Sequence, residues 1–277
     1  MHTTLISVAE LRNELGKDLV LLDCRFDLKD PDAGRTAYQA GHIPGAHYLD
    51  LNEDLSGKIC PENGRHPLPG IAQIAETLRA CGVQPSSQVV CYDASGGCYA
   101  ARAWWLLKAL GHESVAVLDG GFGQWQAAGL SVDRREPPAA QGKLKTPDSW
   151  LLPVIDHETL ANNPPPDSIL VDAREQPRYL GEIEPIDPIP GHIPGAINKP
   201  WLENIDQNGH YQETEFHRLR WQPYAGKQQI HYCGSGVTAC VNILSNAIAG
   251  NDPPTLFTGS WSQWCHHHSD RVETTKP

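Results

Sequence analysis

Gly41-His42-Ile43-Pro44-Gly45-Ala46 recurs letter for letter as Gly191-His192-Ile193-Pro194-Gly195-Ala196. Working outward, Leu21-Leu22-Asp23-Cys24-Arg25 is answered by Leu170-Val171-Asp172-Ala173-Arg174. Val90-Cys91-Tyr92-Asp93 is answered by Ile230-His231-Tyr232-Cys233. Asp119-Gly120-Gly121-Phe122-Gly123-Gln124-Trp125 is answered by Thr258-Gly259-Ser260-Trp261-Ser262-Gln263-Trp264. Four matches in one order, at a period far longer than a solenoid unit, mark a duplicated domain.

Each copy reads alike. Ser7-Val8-Ala9-Glu10 is a capping-box pattern that opens a first helix. Strands are expected at 19–23, 88–92 and 115–118, and helices at 71–80, 98–110 and 121–128. The second copy repeats the strands at 169–172, 229–232 and 255–257. Strands alternating with helices predict an α/β fold, with a mainly parallel sheet covered on both faces in each copy. The polar stretch 136–150, with Pro137, Pro138 and Pro147, reads as a semi-rigid linker between a domain at 1–135 and one at 151–277. The run Pro164-Pro165-Pro166 reads as a loop inside the second domain.

The chain of 277 residues is 40% hydrophobic, with a mean hydropathy of -0.41. It is long enough for two real cores, and no apolar run is long enough to span a bilayer. The N-terminus lacks the pattern of a secretory signal. A net charge of -11 argues against nucleic acid or anionic membrane as partners. An anionic substrate therefore needs a local cationic pocket. None of the eight cysteines forms a Cys-x-x-Cys pair, so no structural zinc site is expected. Reduced cysteines in apolar patterns suit the cytoplasm. His266-His267-His268 reads as a solvated surface run.

The chemistry is carried by QQIHYCGSGVTACVNILSNAIA at 228–249. Cys233 stands where a buried strand ends, small residues follow, and helical spacing is expected from Val237 onward. Amides of such a loop turn inward and the helix adds its positive end, a setting that favours a thiolate and holds an anion beside it. Asp93 occupies the matching position in the first copy and offers no thiol. Cys98 is expected inside the following helix, off that loop.

Cys233-Gly234-Ser235-Gly236-Val237-Thr238-Ala239 resembles the active-site loop of the sulfurtransferase (rhodanese) family, in the Cys-Gly-Ser-Gly form of its 3-mercaptopyruvate branch. The thiosulfate branch usually carries Cys-Arg-Lys-Gly. The resemblance covers nearly the whole chain and implies tandem rhodanese-like domains of which only the second is catalytic. It implies a Cys233 persulfide, formed from a small anionic donor and discharged to cyanide, a small thiol or a thioredoxin-like protein thiol, with no metal or organic cofactor. Gly234, Gly236, Val237 and Thr238 would line the anion site. Thr238 has a second reading, a local bond that shapes the turn.

Arg178 matches the family arginine that grips the donor carboxylate. A second family arginine is expected nine positions on, where this chain has Asp187; Lys199 or a side chain from the first domain would have to substitute. The family's serine–histidine–aspartate relay maps onto Ser235, His66 and Asn52, with Asp50, Glu53 and Asp54 nearby. Arg174, like Arg25, reads as structural, and His42 and His192 as holding their turns. No cation occurs from Gly234 to Cys240, which excludes the cysteine phosphatases and arsenate reductases that share the fold and clamp an oxyanion with a loop arginine. A thiosulfate enzyme and a non-enzymatic persulfide carrier remain as alternatives.

Overall fold

A computed structural model of the chain describes residues 1–138 and 140–275; Ala139 of the expected linker, and Lys276 and Pro277 of the expected second domain, lie outside the described residues. The chain forms two compact units. The first holds Met1–Gly57, Pro69–Leu151 and Asp206–Tyr211. The second holds Lys58–Leu68, Leu152–Ile205 and the described residues from Gln212 onward. The segment Lys58–Leu68 thus belongs to the second unit although it lies in the first half of the sequence.

In the first unit, β1 (Leu5–Ile6), β2 (Leu19–Asp23), β3 (Ala46–Tyr48), β4 (Gln88–Tyr92) and β5 (Val115–Leu118) form one sheet in the order β1-β5-β4-β2-β3. Every pairing in it is parallel. All four residues of β5, and the last four of β4, are buried, as strands covered on both faces must be. The helices are α1 (Val8–Glu14), α2 (Ala33–Ala40), α3 (Ile71–Ala80), α4 (Cys98–Ala109) and α5 (Gly121–Ala127). The Ser7–Glu10 capping box that opens α1 forms in both directions.

The second unit repeats the plan with β6 (Val154–Ile155), β7 (Ile169–Asp172), β8 (Ile197–Asn198), β9 (Gln229–Tyr232) and β10 (Thr255–Phe257), in the order β6-β10-β9-β7-β8 and again parallel throughout. Its helices are α6 (His157–Asn162), α7 (Gln176–Leu180), α8 (Thr214–Trp221), α9 (Ala239–Ile248) and α10 (Ser260–His267). Parallel pairing brings the C-terminal ends of β7, β9 and β10 to one side. The loops that follow them gather there, the usual place for a site in an open α/β sheet.

The repeated residues fasten each copy. Arg174 grips Asp172, donates to Gly191 O at 2.6 Å and lies 4.5 Å over Trp261. Arg25 does the same with Asp23, Gly41 O at 2.8 Å and Phe122 at 4.1 Å. His42 stacks on Tyr38 and bonds its carbonyl, and His192 does so with Tyr179. These are turn-holding roles, as the repeat implies. In the histidine run at 266–268, His266 and His267 are exposed, as the solvated reading expects; His267 also stacks on His157, and His268 Nε2 lies 3.1 Å from His157 Nδ1. Among the described residues no group of three or more His, Cys, Asp or Glu is placed to hold a metal ion, and no helix is long and apolar enough to cross a membrane.

Candidate active site

Cys233 directly follows the central strand β9 and is 2% exposed. The Gly236 N–H points at its sulfur, with N to Sγ at 3.1 Å. That approach needs Gly236 in the left-handed region, at φ +81°. A Cβ there would also meet Thr258 O at 2.5 Å. The same kink delays the helix. The helical spacing expected from Val237 starts at Ala239, with Thr238 at the cap position and no side-chain capping bond. The Thr238 hydroxyl has no hydrogen-bond partner among the described residues, so it does not shape the turn by a local bond. Val237 is 4% exposed and its carbonyl accepts Cys240 N–H at 3.0 Å.

The loop is braced by the segment after β10. Cys233 N–H donates to Ser260 Oγ at 3.2 Å, Trp261 N–H to Cys233 O at 3.0 Å, and Ser262 N–H to Gly234 O at 2.9 Å. Ser260 holds φ +53°, a costly value for a residue with a side chain. Its counterpart in the first copy is Gly121, at φ +58°. The serine is thus kept in a glycine's conformation, where its hydroxyl meets the Cys233 amide and donates to Phe257 O.

The first copy shows what such a loop binds. The Asp93 carboxylate accepts four backbone N–H groups at 2.7–2.9 Å: Ser95 and Gly97 on one oxygen, Tyr99 and Ala100 on the other. The loop is an anion cradle filled by its own side chain. Burial raises the Asp93 pKa, and the four N–H groups pull against that shift. Cys98 is the first residue of α4, where the expected helix at 98–110 also starts, so it stands at the opening of the helix and not inside it. Burial pushes Cys81 and Cys265 up to about 12, as suits thiols that only pack.

Arg178 is not an ordinary surface arginine: its side chain is 10% exposed. Nε and Nη2 donate to Glu184 at 3.2 and 2.7 Å, and Nη2 also to Asp187 at 3.1 Å. Asp187 in turn takes Arg65, Nε at 3.0 Å and Nη2 at 3.1 Å. Glu184 also accepts Arg174 Nη1 at 3.2 Å. The result is an alternating series, Asp172–Arg174–Glu184–Arg178–Asp187–Arg65, three acids against three arginines. Both terminal guanidiniums of interest converge on the loop. The point where Gly234 would carry a Cβ lies 2.7 Å from Arg65 Nη2 and 3.5 Å from Arg178 Nη2. Lys199, named from sequence as a possible substitute cation, instead places its ammonium 5.4 Å over the Tyr224 ring.

Ser235 and His66 are brought together, with Ser235 Oγ 2.7 Å from His66 Nδ1 and both residues buried. The segment carrying His66 is pinned in the second unit. Arg65 N–H donates to Ser262 Oγ, and Glu62 O accepts from Gln263 Nε2. In the first unit, Asp50 is engaged by its own turn, accepting the N–H groups of Asn52 and Glu53.

Sequence reasoning missed Arg65, Ser260 and the bridging role of Asp187. Two signals were present: Arg65 directly precedes His66, and Ser260 stands where the repeat has glycine. A family model described as a rhodanese-like domain matches residues 7–128 and 156–267. A probable 3-mercaptopyruvate sulfurtransferase of Pseudomonas aeruginosa is 45% identical, over 94% of each chain. A putative thiosulfate sulfurtransferase of Mycobacterium tuberculosis is 36% identical, over 94% of this chain and 93% of its own. The solved 3-mercaptopyruvate sulfurtransferase of Leishmania major superposes with a TM-score of 0.86 at 29% identity, over 98% of this chain and 76% of that one. With a duplicated parallel α/β fold, a cysteine loop at the end of the central strand and these relatives, the chain belongs to the rhodanese family, as a two-domain sulfurtransferase.

Proposed function

We propose that the chain moves a sulfane sulfur from 3-mercaptopyruvate to cyanide or a thiol, including a thioredoxin-like protein thiol, through a persulfide on Cys233. The observation that carries this reading is the Cys233 loop: a buried sulfur with the Gly236 N–H on it and two guanidiniums over the adjacent Gly234. The name of the 45%-identical relative supports the donor.

In this mechanism the Cys233 thiolate attacks the donor sulfur. The new S–S bond takes its electrons from Cys233. The donor C–S bond breaks with its pair going to carbon, which leaves as the enolate of pyruvate. The proton carried by the donor sulfur passes to that enolate, giving pyruvate and a persulfide anion. Ser235 and His66, 2.7 Å apart, form the path for this proton. The loop N–H groups from Gly234 to Thr238 then stabilise the terminal sulfur as an oxyanion hole stabilises oxygen. Asp93 in its four-amide cradle is the model for that anion. Arg178 binds the donor carboxylate. Cyanide or a thiolate finally attacks the terminal sulfur and restores the Cys233 thiolate.

All eight cysteines are free, which suits a reducing cytoplasm. Thiosulfate is the alternative donor, favoured by the name of the Mycobacterium tuberculosis relative and by the carboxylate of Asp187 at the site. Steady-state kcat/KM for thiocyanate formation, with the two donors side by side, tests the proposal. A preference for 3-mercaptopyruvate supports it and a preference for thiosulfate overturns the donor. Silence with both, while a protein donor still loads Cys233, indicates a carrier.

A further inference from the structure

The loop that follows α7, Gly181-Glu182-Ile183-Glu184-Pro185-Ile186-Asp187-Pro188-Ile189-Pro190, has two faces. Its inner face is acidic: the Glu184 and Asp187 side chains are 3% and 2% exposed and are spent on guanidiniums. Its outer face is apolar: Ile183 and Ile186, each one residue before an acid, are 55% and 47% exposed. The loop is rigid. Pro185, Pro188 and Pro190 fix their own φ. The Glu184 carboxylate accepts the N–H groups of Ile186 and Asp187 at 3.1 Å, and Ile189 O accepts Trp261 Nε1–H at 2.9 Å. The bonds that turn the acids inward therefore hold both isoleucines out in water, where their apolar surface stabilises nothing. From Glu175 to Gly191 the one cation is Arg178, and it is buried. The charges that this stretch shows to solvent are Glu175 and Glu182, both negative. The loop lies one ion pair away from the Cys233 loop, because Arg178 reaches from Glu184 and Asp187 to Gly234.

We infer that Ile183 and Ile186 form the docking surface for a protein acceptor, a small protein whose reactive cysteine is set in an apolar collar with cations at its edge. The inference deepens the reading of Cys233 as a persulfide carrier and rests on it. Cyanide and small thiols need no such surface. A protein thiol has to bring its own backbone up to a sulfur that is 2% exposed, and it touches the adjoining loop as it does so. Two isoleucines with acids outside them match the apolar centre and polar rim of a protein interface. Glu175 and Glu182 select cations on the partner. In the docked pair the partner's thiolate attacks the terminal sulfur of the persulfide. The new S–S bond takes its electrons from that thiolate, and the bond to Cys233 breaks with its pair returning to the Cys233 sulfur. A second thiol on the partner then attacks its persulfidated cysteine, closes a disulfide and releases hydrosulfide.

The test uses the full chain with Ile183→Gln and Ile186→Gln combined, and Glu182→Lys beside it. The donor is 3-mercaptopyruvate or, where that is silent, thiosulfate. The acceptors are reduced thioredoxin and dithiothreitol, read as sulfide release, and cyanide, read as thiocyanate. The double variant is expected to raise KM for thioredoxin by roughly tenfold or more, with KM for dithiothreitol and cyanide held within about twofold. Glu182→Lys should raise the thioredoxin KM by about threefold at low salt, an effect that fades at high salt. An unchanged thioredoxin KM in the double variant overturns the inference. So does an equal change for all acceptors, because that would be a structural effect. A wild type that turns over cyanide but not thioredoxin overturns the partner and leaves Cys233 standing. A Glu182→Lys variant that lowers the thioredoxin KM overturns the cationic edge. A wild-type dimer in sedimentation that the double variant converts to monomer makes this face an interface between copies of the chain, and overturns the acceptor. No turnover of any acceptor with either donor sinks the Cys233 reading, and the inference falls with it.

Discussion

Asp93→Asn tests whether the first copy's loop is an anion cradle independent of the chemistry. The carboxylate serves four N–H groups, two on each oxygen. An asparagine keeps one acceptor oxygen and turns an NH2 toward the other pair of donors. Two buried N–H groups are left unpaired, at about 1–3 kcal/mol each. Asparagine also avoids burying a charge, which offsets part of this loss and puts the net effect near about 2 kcal/mol, a sizeable share of the ~5–15 kcal/mol that holds a typical domain. The sign with pH follows from the raised pKa of Asp93. Wild-type stability falls as pH rises from 3.8, the ordinary carboxylate value, to the folded value, so the deficit of the variant is larger below that window than above it. The assay is hydrogen exchange at Ser95, Gly97, Tyr99 and Ala100. A 2 kcal/mol loss speeds exchange there by roughly 30-fold where opening controls it. Sulfur transfer should persist, since Cys233 and its braces belong to the other unit. Unchanged protection at these four amides refutes the cradle. Loss of transfer while the first unit stays folded refutes its independence.

Three further outcomes are expected. Gly236→Ala combines left-handed strain of ~1–2 kcal/mol with a 2.5 Å contact to Thr258 O, so the Gly236 N–H should swing off Cys233; steady-state kinetics should show kcat/KM lowered by roughly tenfold or more. His66→Gln should lower kcat roughly a hundredfold with little change in KM, and adding Ser235→Ala should cost little more because the two act as one path. His217 and His231 are buried with pKa values lowered to about 4 and about 3 from 6.5, chiefly by burial. Depressed histidines contribute stability above pH 6.5 that is lost as pH falls toward the folded values, about 2 kcal/mol for each by pH 5. Urea midpoints measured across that range should fall for the wild type and less steeply for His231→Gln.

The strand core was legible in the sequence because consecutive buried Val, Ile and Leu between turn residues leave little choice. The Cys233 loop was legible because a strand, small residues and a helix in that order admit one geometry. The pairing of His66 with Ser235 came from resemblance, and the structure supplies its distance. What sequence could not give was long-range. Lys58–Leu68 docks on the second unit through Arg65, Glu62 and the close approach of Gly64 to Gly259 O, contacts that join residues about two hundred positions apart and leave no periodic trace. Asp187 reads as a repulsive charge until its two guanidiniums are seen. The helix start slipped from Val237 to Ala239 because periodicity does not register a left-handed glycine.

The most direct measurement is intact-mass and peptide mass spectrometry of the protein after brief incubation with 3-mercaptopyruvate and no acceptor. The account predicts a gain of one sulfur atom, mapped to the peptide carrying Cys233, removed by cyanide and absent in Cys233→Ser. Added sulfur on any other cysteine, or in Cys233→Ser at the wild-type level, would contradict it.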